Sequence, residues 1–141
     1  MMISSKGRYA LRVMIELAQR EGEGCLALKD VASRQDISEK YLEAIMKKLV
    51  QEGLVTGIRG KGGGYRLARR AEECTVGDIL RATENTLTPV SCQGLGERGC
   101  PRGEKCPTLP MWRELNGLIQ DYFDCTTLAH LAEQAREREE E

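Results

Sequence analysis

The chain has 141 residues, of which 40% are hydrophobic and 30% charged. This composition is typical of about one soluble globular domain, and a chain of this length folds without a metal or disulfide. No stretch offers the roughly 18 uninterrupted apolar residues of a membrane helix, and the N-terminus lacks the apolar core of a secretory signal. We therefore expect a cytoplasmic protein whose six cysteines are thiols or metal ligands rather than a disulfide framework.

Charge divides the chain into two unlike halves. The net charge of -1 combines +6 for residues 1–70 with -7 for residues 71–141. Five basic residues and no acid lie within residues 56–70, which suits a polyanion such as nucleic acid. Taken alone, this charge pattern is equally compatible with a basic surface that only contacts solvent.

Apolar residues at helical spacing predict three helices in the first half. We expect the first at residues 5–20, the second at 28–34, and the third from Ser38, as its cap, to about Glu52. Residues 35–37 form the turn between the last two. The expected buried positions are Ala10, Val13, Met14, Leu17 and Ala18, then Val31 and Ala32, then Leu42, Ile45, Met46 and Leu49.

Three segments follow the third helix. Two short strands around a glycine-rich tip are expected at about 54–68, and a helix at about 76–84 begins with a capping box of Thr75 and Asp78. All four prolines and several glycines lie within residues 85–110, so regular structure is not expected there. A helix with a broad apolar face follows Pro110, and Thr126 or Thr127 begins the last one. The chain is therefore predicted to have three parts: residues 1–84 with the first helices and the hairpin, residues 85–110 without regular structure, and residues 111–141 with the last two helices.

Two helices joined by a short turn and followed by a basic hairpin predict a mainly α fold, the winged helix-turn-helix DNA-binding domain. The third helix would enter the major groove, because its apolar positions face the core. The wing glycines let the backbone approach DNA, where basic side chains reach a narrow minor groove. The predicted DNA-binding residues are Ser38, Glu39, Lys40, Tyr41, Glu43, Arg59, Lys61, Gly62 and Gly63.

Each of these residues has a plainer explanation when it is taken singly. Tyr41 fits an aromatic at the edge of the core, and the glycines fit a flexible hairpin. Glu39 and Glu43 would repel phosphate unless they faced cytosine amino groups. The combination of helix order, turn length, wing glycines and basic charge favours DNA binding.

Cys92, Cys100 and Cys106 lie close together in the glycine-rich segment 85–110. Such a segment can wrap thiolates around an iron–sulfur cluster. Zinc is less favoured because paired Cys-x-x-Cys hooks are absent, and a thiol switch that forms a disulfide on oxidation is the remaining alternative. Glu97 and Glu104 are weaker candidate ligands.

The remaining histidine and cysteines have simpler expected roles. His130 is expected to face solvent or a neighbouring helix. Cys25, Cys74 and Cys125 are expected to be buried structural thiols. No histidine lies close to a cysteine in sequence and no phosphate-binding loop is present, so an enzyme is the least favoured class.

Five groups of residues extend over nearly the whole chain. They are Ser4-Ser5-Lys6-Gly7-Arg8-Tyr9-Ala10, Ile37-Ser38 with Tyr41-Leu42-Glu43, Gly53-Leu54-Val55, Arg59-Gly60 with Gly62-Gly63-Gly64-Tyr65, and Cys106-Pro107-Thr108 with Trp112-Arg113. Together they resemble the iron–sulfur cluster regulator (IscR) family of the Rrf2 superfamily, whose other branches include NsrR, RirA and CymR.

The resemblance implies a homodimeric transcription factor that reads a palindromic operator with Ser38, Tyr41 and Glu43 in the major groove and Arg59 in the minor groove. It further implies a two-iron or four-iron cluster on the three cysteines of segment 85–110. Dimerisation is expected through one long helix, on the residues Trp112, Leu115, Leu118, Ile119 and Tyr122.

Two positions depart from the family pattern. Leu109 stands where IscR itself has a histidine ligand, and Arg8 stands where the NsrR branch has an acid. The fourth ligand and the cluster type therefore stay open. The main hypothesis is a regulator whose operator affinity depends on the cluster, in response to iron–sulfur status, iron, redox state or nitric oxide. The alternative is a CymR-like regulator of sulfur metabolism, signalled by a metabolic enzyme partner or by thiol oxidation.

Overall fold

A computed structural model describes residues 2–90 and 102–141 of the chain. Its helices are α1 (Ser5–Gln19), α2 (Leu28–Gln35), α3 (Glu39–Gln51), α4 (Val76–Thr83), α5 (Leu109–Cys125) and α6 (Leu128–Glu139). The strands are β1 (Val55–Ile58) and β2 (Gly64–Leu67), and short 3₁₀ turns lie at Ala71–Glu73 and Gly103–Lys105. The predicted mainly α fold with a small hairpin is confirmed.

Side-chain caps begin four of the helices where the sequence has Ser or Thr. Ser4 accepts the Gly7 N–H at the start of α1, and Ser38 accepts the Tyr41 N–H at the start of α3. Thr75 and Asp78 exchange two hydrogen bonds of 3.0 Å in the predicted capping box. Each cap satisfies a backbone donor that has no partner within its helix. Thr127, one of the two expected residues, caps α6.

The turn between α2 and α3 is closed by backbone geometry. Asp36 has a φ of 54°, a left-handed conformation that Asp adopts more easily than most side chains. The Ile37 N–H donates back to the Ala32 carbonyl at 3.0 Å, and the Ile37 side chain is buried. The Arg34 guanidinium also forms an ion pair with the buried Glu16 of α1. These interactions fix the helix-turn-helix against the first helix.

All the core positions expected from the first three helices are buried in one cluster. That cluster also contains Leu128 and Ala132 of α6, which packs along α1. Backbone hydrogen bonds join the start of α6 to the residues before α4, with the Leu128 N–H 2.7 Å from the Cys74 carbonyl. The predicted boundaries near residues 84 and 110 stay predictions, and α6 contributes to the core of the first segment.

The hairpin is antiparallel and is joined to the core by a backbone bridge between Leu26 and Tyr65. β1 and β2 pair with Val55 opposite Leu67 and Ile58 opposite Gly64. Leu26 and Tyr65 exchange two backbone hydrogen bonds of 2.8 Å. Gly64 has a φ of +148°, and a Cβ there would collide with the Leu26 carbonyl. Glycine is therefore required where the wing meets the core.

The segment predicted to lack regular structure is partly ordered. A 3₁₀ turn occupies Gly103–Lys105, and α5 begins at Leu109, inside that segment. Pro110 fits because the first turn of a helix needs no donor from the proline nitrogen. None of the helices within residues 2–90 and 102–141 is both long and apolar enough to cross a membrane.

Candidate functional site

The start of α3 presents polar side chains away from the core. Ser38, Glu39, Lys40 and Glu43 are exposed, and Tyr41 is half-buried. On the opposite side of the helix, Leu42, Ile45, Met46 and Leu49 are buried. The fold therefore exposes the α3 residues that the sequence predicts to contact DNA, with Tyr41 at the edge of the core.

The wing tip depends on glycine. Gly60 and Gly62 have φ values of +97° and +80°, which disfavour residues with a Cβ. A Cβ on Gly63 would collide with the Ile58 carbonyl. The tip is therefore a tight backbone turn, with the exposed Arg59 immediately before it and the exposed Lys61 between Gly60 and Gly62.

A groove separates α3 from the wing. Glu43, Lys47, Val50 and Gln51 line its α3 side, and Gly57, Ile58, Arg59, Gly64 and Tyr65 line its hairpin side. Glu43 and Arg59 thus line the same groove, whereas the other predicted DNA-binding residues do not. Val50 and Ile58, each 40% exposed, add apolar surface.

Sequence reasoning missed Lys47 as a member of this surface. The spacing of Lys40, Glu43 and Lys47 places them on one helical face, opposite the buried stripe, and this signal could have identified Lys47. Within the described residues, none of Lys40, Lys47, Arg59 and Lys61 forms an ion pair. Their charges are therefore available to a polyanion.

Two residues of α1 contact the helix-turn-helix from behind. The Tyr9 and Tyr41 rings meet edge to face, with centroids 5.9 Å apart at 88°. The Arg12 guanidinium lies 5.4 Å from the centre of the Tyr9 ring. It also donates to the Gln35 carbonyl at 2.7 Å and to the Gln35 side chain at 3.1 Å. The turn and the start of α3 are thereby connected to α1.

Cys106 is the one predicted metal ligand that the structure describes, since Cys92 and Cys100 lie outside the described residues, as does Glu97. The thiol is half-buried, just before α5, with its Sγ 3.4 Å from the Thr108 hydroxyl. Hydrogen bonding to the Thr108 side chain, then to its backbone, lowers the pKa of Cys106. A thiolate is the form that binds soft metals, so Cys106 fits an iron–sulfur cluster ligand.

Among the described side chains near this segment, neither Leu109 nor His130 offers a second ligand beside Cys106. Leu109 is 4% exposed and apolar, so it offers no donor atom. His130 is exposed on α6, in agreement with expectation, and the Glu104 side chain lies outside what the structure describes. Across residues 2–90 and 102–141, no three His, Cys, Asp or Glu side chains form a metal-binding group.

The three remaining cysteines differ in exposure. Cys74 is buried, and burial, followed by the charge of Asp78, raises its pKa to about 11. Cys25 is half-buried and Cys125 is exposed. The prediction of a buried thiol is therefore confirmed for Cys74, met in part by Cys25 and wrong for Cys125. The reason is that Cys125 ends α5, a helix in which only Leu109 is buried.

The apolar face of α5 is uncovered in the described chain. Met111, Leu115, Leu118 and Tyr122 are 38–69% exposed, while Trp112 and Ile119 of the predicted dimer face are half-buried. Large exposed apolar side chains grouped on one helix face are typical of an interaction surface.

Polar contacts attach this helix to α4. Arg81 of α4 makes two hydrogen bonds to Asp124, of 2.7 and 3.1 Å, and a third to Gln120. Gln120 also donates to the Leu87 carbonyl at 3.1 Å. α5 is thereby attached both to α4 and to Leu87 at the beginning of residues 85–110, the cysteine segment.

Comparisons with known proteins agree with this architecture. Residues 3–134 match the model of the Rrf2 family, described as iron-dependent transcriptional regulators. The chain is 40% identical over 131 residues to the HTH-type transcriptional regulator IscR of Erwinia tasmaniensis, covering 93% of this chain and 78% of that relative. In structure it is similar to CymR, the global cysteine regulator of B. subtilis, with a TM-score of 0.78 and 36% identity over 95% of this chain and 98% of that one. IscR of T. potens has a TM-score of 0.76 and 36% identity, over 98% and 90% of the two chains.

Proposed function

The chain belongs to the Rrf2 family of transcriptional regulators, and from this we propose that it acts in the cytoplasm as a homodimer that binds a palindromic operator. The predicted family resemblance is confirmed. The observation that supports DNA binding most strongly is the surface shared by α3 and the wing, where Lys47 and Arg59, which form no ion pair with any residue the structure describes, line a groove. DNA phosphates are the polyanion that this arrangement fits.

In this proposal the first turns of α3 read the major groove. Ser38, Lys40 and Tyr41 contact base edges or phosphates, and Glu39 and Glu43 accept from cytosine amino groups. In the wing, Arg59 and Lys61 enter the minor groove, while Gly62 and Gly63 allow close backbone approach. Lys47 adds a phosphate contact beside the groove.

Salt dependence on a selected duplex tests DNA binding. A random library of double-stranded DNA is enriched for bound sequences, and affinity for one selected duplex of about 30 base pairs is measured as salt increases. We expect a steep loss of affinity and a further loss of about 10-fold for Arg59→Ala, which removes a charged contact. Arg136→Ala, the loss of an exposed arginine on α6, is the matched control. Affinity that does not change with salt would contradict the proposal.

The exposed face of α5 supports the homodimer, since a second copy would cover Met111, Leu115, Leu118 and Tyr122. Sedimentation equilibrium of Leu118→Lys is expected to show a shift toward monomer, because the change buries a charge in the interface. Glu133→Lys, at an exposed position on α6, is the control. A wild-type monomer at micromolar concentration would contradict the homodimer.

For the signal, the proposed ligands of an iron–sulfur cluster are Cys92, Cys100 and Cys106. Such a cluster, when bound, supplies reversible redox and ligand-exchange chemistry. The support is the lowered pKa of Cys106 together with the relatives described as iron-dependent regulators and as IscR. Leu109 provides no fourth ligand, so the choice between a two-iron and a four-iron cluster is left to experiment. For the cluster to regulate DNA binding, its presence in the cysteine segment must favour one relative arrangement of the two subunits' DNA-binding parts over another.

Anaerobic reconstitution with iron and sulfide tests the cluster. Absorption spectra, iron and sulfide counts, and affinity for the selected duplex are measured before and after reconstitution. The triple variant Cys92→Ser, Cys100→Ser and Cys106→Ser is expected to lose both the absorption and the change in affinity, whereas Cys125→Ser keeps them. A wild-type protein that stays free of iron would contradict the cluster.

The second candidate is a CymR-like regulator without a cluster. The buried Leu109 in place of a donor, and the similarity to the CymR structure, favour it. Its input would be thiol oxidation or a metabolic enzyme partner. Iron-free protein whose DNA affinity changes on peroxide treatment, or on addition of a co-purifying enzyme, would support this candidate over the first.

A further inference from the structure

Arg12 of α1 closes the C-terminal end of α2. The last carbonyls of a helix have no partner within it, and Gln35 is the final residue of α2. Arg12 donates to the Gln35 carbonyl at 2.7 Å and to the Gln35 side chain at 3.1 Å. A cation is also stabilising at a helix C-terminus. Arg12 therefore holds α2 at the residue where the turn to α3 begins.

Tyr9, one helical turn earlier, holds the other side of that turn. Its ring meets Tyr41 edge to face, a preferred aromatic geometry, with centroids 5.9 Å apart. Tyr41 lies in the first turn of α3, where its N–H donates to the Ser38 cap. Since Arg12 lies over the Tyr9 ring at 5.4 Å, the series Gln35, Arg12, Tyr9 and Tyr41 is continuous. It connects the end of α2 to the start of α3 through α1.

We infer that Tyr9 and Arg12 are positioning residues that fix the orientation of α3 for reading DNA sequence. The inference rests on the proposed DNA binding. Backbone hydrogen bonds close the turn at residues 36–38, and the contacts of Arg12 and Tyr9 add a side-chain restraint on each side of it that limits rotation of α3 against α2. Hydrogen bonds to base edges require this orientation more strictly than phosphate contacts do. Tyr9 and Arg12 therefore act on specificity, through Tyr41 and the turn, without contacting DNA.

The test compares specificity with non-specific affinity in the full-length protein. Dissociation constants for the selected duplex and a scrambled one are measured with Tyr9→Leu, Arg12→Ala and the double variant, over a range of salt. We expect the preference for the selected duplex to fall about 3- to 10-fold in each single variant, from the loss of an aromatic pair or of charged hydrogen bonds. The salt slope and the affinity for the scrambled duplex stay unchanged.

Two matched variants separate positioning from charge and from folding. Tyr9→Phe keeps the ring contact and is expected to keep the wild-type preference. Arg8→Ala removes a charge from the same helix, where Arg8 donates to Ser5, and is expected to do the same. Without DNA, amide hydrogen exchange at residues 36–41 is expected to accelerate in Arg12→Ala and Tyr9→Leu, with little change in the free energy of global unfolding.

Several outcomes would overturn the inference. Equal losses on both duplexes, with a salt slope reduced by about one, would make Arg12 a phosphate contact instead. Unchanged preference together with unchanged amide exchange would show that α3 is held without these residues. If the unaltered protein bound neither duplex, the proposed DNA binding would fail. Faster amide exchange in the variants would then show only that Tyr9 and Arg12 hold the turn and α3, with no role in reading DNA.

Discussion

The winged part of the molecule (α1 to α4 with the hairpin of β1 and β2) and α5 differ in how far their apolar side chains are buried. The helices α1 to α4 bury the apolar stripe of each sequence pattern. α6 shares the main core with α1 to α3 and Ile79 of α4, while Val76 and Leu80 of α4 form a second cluster with Leu87. α5 buries only Leu109 and leaves four large apolar side chains exposed. The difference indicates that the winged part is stabilised by its own core, whereas the apolar face of α5 is left uncovered by the residues that the structure describes and is the surface proposed above to meet a second copy.

The largest expected difference is in the free energy of unfolding lost when a leucine of α3 or a leucine of α5 is replaced by alanine. Leu42 is fully buried and Leu118 is 63% exposed. We expect Leu42→Ala to lower the free energy of unfolding by about 3 kcal/mol, because it removes buried surface and leaves a cavity. Leu118→Ala should change it by less than about 0.5 kcal/mol at concentrations where the chain is monomeric. Urea unfolding at several protein concentrations measures both, and equal losses would remove the contrast.

The two regions also differ in cysteine chemistry. The pKa of Cys106 is lowered and that of Cys74 is raised to about 11, and the thiolate is the reactive form. Alkylation by iodoacetamide in the native protein at about pH 8 should therefore modify Cys106 at least ~100-fold faster than Cys74. Mass spectrometry of peptides measures each rate, and full denaturation, which should bring the two rates together, is the control. Similar alkylation rates for Cys106 and Cys74 in the native protein would contradict the difference in their pKa values.

Two glycines with positive φ provide a backbone comparison. Gly64 joins the wing to Leu26, where a Cβ would collide with a carbonyl, whereas Gly103 in the cysteine segment has open space around it. We expect Gly64→Ala to lower the free energy of unfolding by about 2–3 kcal/mol, and Gly103→Ala to cost no more than about 1 kcal/mol. Thermal unfolding measures both. A larger loss from the Gly103 change would show that the cysteine segment is as strongly constrained as the wing.

The smallest effect concerns the junction between the two regions. Hydrogen bonding to Arg81 lowers the pKa of Asp124 from its ordinary value of 3.8, so the ionised form is favoured in the folded protein. The pair therefore contributes stability above about pH 3.8, and this contribution is lost as the pH falls and the carboxylate is protonated. Because both side chains are over 40% exposed, Asp124→Asn should cost only about 0.5 kcal/mol. Its unfolding free energy should converge with that of the wild type at low pH, and a constant difference would contradict the assignment.

The sequence was most informative where structure depends on neighbours along the chain. The caps Ser38 and Thr75 are predictable because a capping side chain bonds to an amide three residues later. The buried stripes followed from helical periodicity in the same way. The expectation of a buried Cys125 is wrong because its exposure depends on which neighbours α5 has. α5 begins at Leu109 rather than after Pro110 because the first turn of a helix tolerates proline.

The sequence alone therefore determined the helices, the turn, the wing and the family, since caps, periodicity and glycine positions act within a few residues. Tertiary structure decided that α6 packs on α1, that Leu26 pairs with Tyr65, and that Tyr9 and Arg12 contact the helix-turn-helix. These contacts join residues that are far apart in the chain or lie on different helices. No local pattern specifies them, because each partner is selected by the packing of whole elements against a shared core.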